Sequence, residues 1–107
     1  MIRVTTPTHT FTLPIATSTC KEILVTYKQD DVLLEYHYEN NIVPEGMAIG
    51  GNNVVITMSQ EDTKAFSPKV PVRAQVRVLT TADKAYASQI FRMSVRDVLN
   101  EEVLADD

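Results

Sequence analysis

The feature that most constrains the fold is the segment of residues 70–79, in which apolar side chains occupy every second position. Successive side chains of a strand point to opposite faces of a sheet, so a period of two predicts a half-buried strand. Such strands are typical of antiparallel sheets with one dry face and one solvated face. The residues that this pattern assigns to the core are Val70, Val72, Ala74, Val76 and Val78.

Five further segments carry strand signals, either alternation or a high content of β-branched and aromatic residues. They are residues 9–13, 22–29, 32–39, 54–58 and 85–95. Two acidic residues, Asp30 and Asp31, separate the second and third segments, which predicts a β-hairpin. Ser59 precedes Asp62 by three residues, a spacing that predicts an N-cap and a single helical turn.

The end of the chain, residues 96–107, is acidic and allows two interpretations. Ser94 is placed to cap a short helix over the following residues. The apolar residues that would line one side of that helix are Val95, Val98, Leu99 and Val103. An irregular tail that packs against the rest of the chain fits the same residues equally well.

Six or seven strands, separated by turn residues and without a long helix between them, predict an all-β fold. We expect an immunoglobulin-like antiparallel β-sandwich formed by a single domain of residues 1–107. A small barrel is the alternative.

Charge and composition exclude several classes of function. The net charge of −4 and a pI of about 5.1 make phosphate-backbone binding unfavourable, so no nucleic-acid partner is predicted. No apolar stretch is long enough to span a membrane, and the N-terminus lacks the apolar segment of a secretory signal. The sequence therefore predicts synthesis in the cytoplasm and no membrane partner. The single cysteine, Cys20, is interpreted as a small buried or half-buried hydrophobe rather than a reactive thiol.

One group of side chains has metal-ligand chemistry. Glu35, His37 and Glu39 share one face of a predicted strand and could bind a divalent cation. The opposite face of the same strand is apolar, which favours the simpler interpretation that the three residues face water. Structural zinc sites use more Cys and His than this chain holds, so no metal is predicted.

Catalytic patterns are not evident in the sequence. His9 and His37 have no nucleophile at a recognisable spacing, and Gly50-Gly51 lacks the residues of a phosphate-binding loop. We therefore expect no enzymatic activity, no catalytic residue and no cofactor. The alternative function is a small ligand- or glycan-binding adhesion module, for which Tyr36 is the residue to test.

The solvated row of the alternating strand is the candidate partner surface. Arg73, Gln75 and Arg77 are spaced two residues apart, so they project from the same face. Pairing with acidic residues on neighbouring strands is the ordinary explanation for such a row. The functional interpretation is a contact surface for another protein, since Arg and Gln can make many hydrogen bonds there.

Four segments together resemble a family of small proteins of tailed bacteriophages and prophages from Gram-positive gut bacteria. The segments are residues 6–14, 56–63, 76–80 and 95–100. The resemblance implies a virion-associated β-sandwich that serves in the tail, baseplate, connector or head. It further implies other phage structural proteins as partners, together with self-association, and a location in the virion.

Overall fold

The structure is a computed structural model and describes residues 1–104. Eight strands of these residues form two antiparallel sheets that pack as a sandwich, which confirms the predicted all-β fold class. One sheet has the order β1-β5-β4; the other has the order β3-β2-β6-β7, with β8 also paired to β6. The strands are β1 Thr8–Thr12, β2 Cys20–Gln29, β3 Val32–Glu39, β4 Met47–Gly50, β5 Asn53–Thr57, β6 Val72–Thr80, β7 Ala85–Ala87 and β8 Phe91–Met93.

The core lies between the sheets and is built from the alternating positions of the long strands. In β2 the side chains of Ile23, Val25 and Tyr27 are fully buried. They lie beside the buried side chains of β6, to which β2 pairs along most of its length, and both sets point towards the smaller sheet. Four of the five core positions predicted in that strand are confirmed, namely Val72, Ala74, Val76 and Val78.

The fifth core prediction, Val70, is wrong. Its side chain is 37% exposed, because β6 begins only at Val72. The Val70 carbonyl accepts a hydrogen bond of 2.7 Å from the buried side-chain amide of Gln29 rather than from a neighbouring strand. The same amide group also donates to the Ser67 carbonyl and accepts from the Ser67 N–H, both at 2.7 Å. Gln29 thus fixes the connection that leads into β6.

Both local predictions near turns are confirmed. Strands β2 and β3 form a hairpin through Asp30 and Asp31, with Asp30 in the left-handed region at φ 49°. A short helix, α1, spans Gln60–Lys64, and the Ser59 hydroxyl accepts a hydrogen bond of 3.1 Å from the Asp62 N–H. This one helical turn carries the chain from the smaller sheet to the larger one.

The predicted strand over residues 85–95 is wrong as a single element, because it is interrupted between β7 and β8. Ser88 lies at the interruption, where its N–H donates to the Val76 carbonyl at 2.8 Å. Its hydroxyl accepts from the Val76 N–H at 3.0 Å. The Ser88 hydroxyl therefore takes the place of one backbone carbonyl in the pairing with β6. β7 pairs with β6 before this point in the chain, and β8 pairs with β6 after it.

The end of the described chain is irregular, as in the second of the two interpretations, and residues 94–104 contain no helix. The backbone of this segment is used in pairing with the N-terminus. The Arg96 N–H donates to the Met1 carbonyl at 2.8 Å, and the Arg3 N–H donates to the Arg96 carbonyl at 2.9 Å. The last three residues of the predicted acidic tail, 105–107, lie outside the described residues.

Arg3 holds this terminal segment in place. Its guanidinium is buried and donates to carboxylate oxygens of Asp97, at 2.6 Å, and Glu101, at 2.5 Å. It also donates to the Lys64 carbonyl at 3.0 Å, at the end of α1. Two carboxylates of the acidic tail therefore compensate one buried cation, which raises the pKa of Arg3 despite its burial.

We predict that Gly46→Ala destabilises the protein by about 2–3 kcal/mol, because Gly46 has φ +87° and a Cβ there would lie 2.8 Å from the Thr57 carbonyl oxygen. Gly50→Ala is the matched control: no atom lies within 4 Å of its added Cβ, so we expect a change below about 0.5 kcal/mol. Urea unfolding monitored by circular dichroism measures both. Equal unfolding midpoints for the two variants would contradict the prediction.

Candidate functional site

The solvated side chains of the larger sheet form a continuous surface, here called the outer face. The strand registers align its residues in rows that cross β3, β2 and β6. Because directly opposed residues of antiparallel strands point to the same side, each row presents its side chains together. The outer face consists of Leu33, Glu35, His37 and Glu39 of β3, Glu22, Leu24, Thr26 and Lys28 of β2, Arg73, Gln75, Arg77 and Leu79 of β6, and Arg92 of β8.

The structure places the predicted partner row in the middle of the outer face. Arg73 and Arg77 are exposed, whereas Gln75 is half-buried. The side-chain amide of Gln75 donates to the Ser88 carbonyl at 3.0 Å, so one of its donors serves the fold. The two arginines are therefore the members of the predicted row that are best placed to contact a partner.

Three cations lie in a single row across the outer face. Lys28 of β2 is directly opposite Arg73 of β6, and Arg73 is directly opposite Arg92 of β8. None of the three forms an ion pair within residues 1–104. Like charges in direct opposition destabilise a sheet, so this row favours contact with an anionic group. We call Lys28, Arg73, Arg77 and Arg92 the basic patch.

Sequence reasoning missed two members of the basic patch. Lys28 lies in the predicted strand of residues 22–29, and Arg92 lies in the predicted strand of residues 85–95, which the structure divides in two. Residue spacing does not reveal that Lys28 lies opposite Arg73, because β2 and β6 are far apart in the chain. It does not reveal that Arg92 lies opposite Arg73 either, because the register between β6 and β8 depends on the interruption at Ser88.

The opposite end of the outer face is acidic. Glu22 of β2 is directly opposite Glu39 of β3, and His37 lies beside them. The Nε2 atom of His37 is 3.0 Å from a Glu22 carboxylate oxygen and 4.0 Å from one of Glu39. An imidazole that can donate a hydrogen bond to a carboxylate reduces the cost of placing Glu22 opposite Glu39.

The structure changes the membership of the group considered as metal ligands. Glu22, His37 and Glu39 bring one ligand atom each within 4.8 Å of one another, and Glu35 is not among them. All three side chains are substantially exposed, between 38% and 51%. Their exposure agrees with the interpretation that this side of β3 faces water.

A shallow groove of about 450 Å³ connects the acidic end to the basic patch. Leu24, Arg77 and Leu79 are among the residues that line it. The outer face thus offers carboxylates, an apolar strip and guanidinium groups in sequence. That combination suits a protein surface of mixed chemistry rather than a polyanion.

His9 of the smaller sheet and Tyr27 of the larger sheet form a pair of titratable side chains between the two sheets. His9 Nδ1 lies 2.8 Å from the Tyr27 hydroxyl oxygen, and burial raises the pKa of that hydroxyl. Burial of the ring lowers the pKa of His9, and the positive charge of the chain terminus adds to this effect. His9 is therefore a half-buried side chain of the interior between the two sheets.

Tyr36 and Cys20 are both buried. The Tyr36 hydroxyl donates to Asp62 at 2.8 Å, and burial together with this carboxylate raises the pKa of Tyr36. A buried ring cannot stack on a sugar, so Tyr36 is not an accessible residue for the alternative glycan-binding function. Cys20 is a buried small side chain, as predicted, and burial raises the pKa of its thiol.

We predict that the free energy of unfolding decreases as the pH falls below about 6.5, in part because of His9. The lowered pKa of His9 means that the unfolded chain binds a proton at this ring before the folded chain does. The contribution is therefore fully present above the unfolded pKa and is lost as the pH falls towards the folded one. Urea unfolding at several pH values should show a weaker pH dependence for His9→Gln than for the wild type.

Thr10→Gln is the control for this prediction. Thr10 is exposed and follows His9 in the same strand, so the substitution adds a similar side chain without removing a titrating group. We expect it to keep the wild-type pH dependence. The assignment to His9 would be wrong if His9→Gln and Thr10→Gln showed the same slope of stability against pH.

Comparison with known proteins adds no assignment. No protein-family model, no curated protein and no solved structure matches this chain. None of the helices within residues 1–104 has the length and apolar character needed to span a bilayer. The outer face and its charges are therefore the features of this chain that bear on its function.

Proposed function

We propose that this chain is a non-enzymatic structural or assembly component of a phage virion. In this proposal it binds another virion protein through the basic patch on the outer face. The observation that carries the proposal is the row Lys28, Arg73 and Arg92, in which three cations are held side by side without an acidic partner in the described residues. The phage context rests on the sequence resemblance.

The chemistry of the patch defines the partner surface. Guanidinium groups form paired hydrogen bonds with carboxylates, so an acidic protein surface is the expected counterpart. The sheet beneath the patch is rigid because β2 and β6 are buried along their inner side. Fixed positions reduce the ordering cost of binding.

Nucleic acid is a poor counterpart for the same surface. The chain carries a net charge of −4, and three carboxylates lie on the outer face with the basic patch. Phosphate-backbone binding requires a predominantly basic face. A protein surface that carries both acidic and apolar groups matches the outer face better.

We predict that Arg73→Glu combined with Arg92→Glu reduces the number of copies in purified virions by about tenfold or more. Each exposed ion pair contributes up to about 1 kcal/mol, and charge reversal replaces attraction by repulsion. Quantitative mass spectrometry of virions made with each variant measures the incorporation, and circular dichroism verifies the fold.

Lys69→Glu combined with Lys84→Glu is the matched control. Both lysines are exposed and lie outside the outer face, and the net charge changes by the same amount. We expect wild-type incorporation for this variant. Absence of the wild-type protein from virions would overturn the virion assignment, and equal incorporation of both double variants would overturn the role of the basic patch.

A further inference from the structure

The outer edge of β3 is an unpaired strand edge. β3 pairs with β2 on one side only. On its other side, where alternate residues direct their N–H and carbonyl groups, those groups have no backbone or side-chain partner between residues 32 and 38 within the described chain. Exposed edges of this kind are templates for pairing with a further strand.

β3 differs from the other sheet edges in length and in protection. It has eight residues and contains no Pro, Lys or bulge, which are common devices against edge pairing. The edge strands of the smaller sheet, β1 and β4, have five and four residues, and β7 and β8 have three each. β3 is therefore the edge best suited to strand addition.

The far end of this edge is already occupied. Glu39 pairs with Glu22 on one side and forms an antiparallel bridge with Ile42, whose N–H donates to the Glu39 carbonyl at 2.9 Å. Since a strand residue has two lateral neighbours, Ile42 must lie on the free side of β3. Residues 34–38 remain open for pairing.

We propose that β3 pairs in antiparallel fashion with β3 of a second copy of this chain, about a twofold axis at Tyr36. In this register Glu35 is opposite His37 of the second copy, and the symmetry creates that pair twice. On the inner side, Leu34 is opposite Tyr38, an apolar pair. The two larger sheets then form one continuous sheet across the axis.

Charge selects this register over its neighbours. Moving the axis to Glu35 places the two Glu35 side chains opposite each other, and moving it to His37 places Glu35 opposite Glu39. Both alternatives oppose like charges at the edge. A shift by a single residue would instead bring solvated side chains against core side chains.

Two exposed apolar side chains support the same arrangement. Leu33 is 54% exposed at one end of the open segment, and Ile42 is 68% exposed at the other end. When the strands pair about Tyr36, Leu33 of one copy comes close to Glu39 of the other copy. Ile42 of that copy lies beside Glu39. Apolar side chains that are costly in the single chain become partly buried in the pair.

This inference does not rest on the proposed function. The edge of β3 lies on the opposite side of the larger sheet from β8, so self-association and binding at the basic patch can be tested separately. A strand from a different protein is the competing occupant of the edge.

We expect the wild-type protein to dimerise weakly, since a five-residue strand pairing is smaller than a standard interface. Sedimentation equilibrium from about 10 µM to about 1 mM measures the dimer, and hydrogen exchange at low and high concentration locates it. Protection of the Glu35 and His37 amides should increase with concentration, because these residues, like Glu39, direct their backbone groups to the free side of β3. A protein that is monomeric throughout, or protection confined to another edge, would overturn the proposal.

Substitutions at Glu35 test the register. Glu35→Lys places a cation opposite His37 of the second copy, and two such pairs should weaken dimerisation about tenfold. Adding His37→Glu places a carboxylate opposite each new lysine and should recover part of the loss, since the same substitution sets a third carboxylate beside Glu22 and Glu39. Glu61→Lys, an equal charge change at an exposed position of α1, should leave the dimer unchanged.

Leu33→Asp provides a second variant that does not depend on His37. The exposed position tolerates the change in the single chain, whereas in the pair the new carboxylate approaches Glu39 and Ile42 of the second copy. We expect weaker dimerisation by about tenfold or more. A dimer that is insensitive to both Glu35→Lys and Leu33→Asp would exclude pairing through β3.

Discussion

The burial of strand β2 between β3 and β6 is the constraint on which the rest of the molecule depends. Its alternate side chains are completely removed from water, and its backbone pairs on both sides. Tyr27 extends this constraint to the other sheet, because its ring centre lies 5.6 Å from that of His9 and 6.4 Å from that of Phe11. Strand β2 therefore pairs with both of its neighbours in the larger sheet, and through Tyr27 it also packs against the smaller sheet.

The rigidity of β2 has an effect on the outer face. A strand whose inner side chains are locked cannot slip by one residue without exposing all of them, so its solvated side chains are held in fixed positions. The opposed cations Lys28 and Arg73 persist because the core imposes this register. Their mutual repulsion is small compared with the apolar burial on the other side of the same strands.

Much of the larger sheet could be predicted from the sequence because its long strands alternate without interruption. The hairpin at Asp30 and the cap at Ser59 were also predicted, since each depends on residues that are close together in the chain. Strand β4 was missed because four residues are too few to show a period. Val70 was assigned to the core because alternation does not reveal where pairing ends.

The candidate sites required information that spacing does not contain. Glu22 and Arg92 join their clusters through strand register, which pairs residues far apart in the sequence. Alternation does place Tyr36 on the apolar face of its strand, and its ring is buried there, but the hydrogen bond of its hydroxyl to Asp62 joins residues that no spacing connects. A single sequence identifies which residues share a face, but not which residues lie opposite them.

The bonds of Arg3 to Asp97 and Glu101 join positions 94 and 98 residues apart in the chain. During synthesis on the ribosome, Arg3 emerges long before Asp97 and Glu101. Its guanidinium therefore lacks both carboxylate partners until nearly all of the sequence between them has been made. Contacts between such distant residues carry a large loop-closure cost and are favoured only after the intervening chain has folded. The bonds of Arg3 to Asp97 and Glu101 therefore gain most of their stability from a chain whose two sheets are already in place.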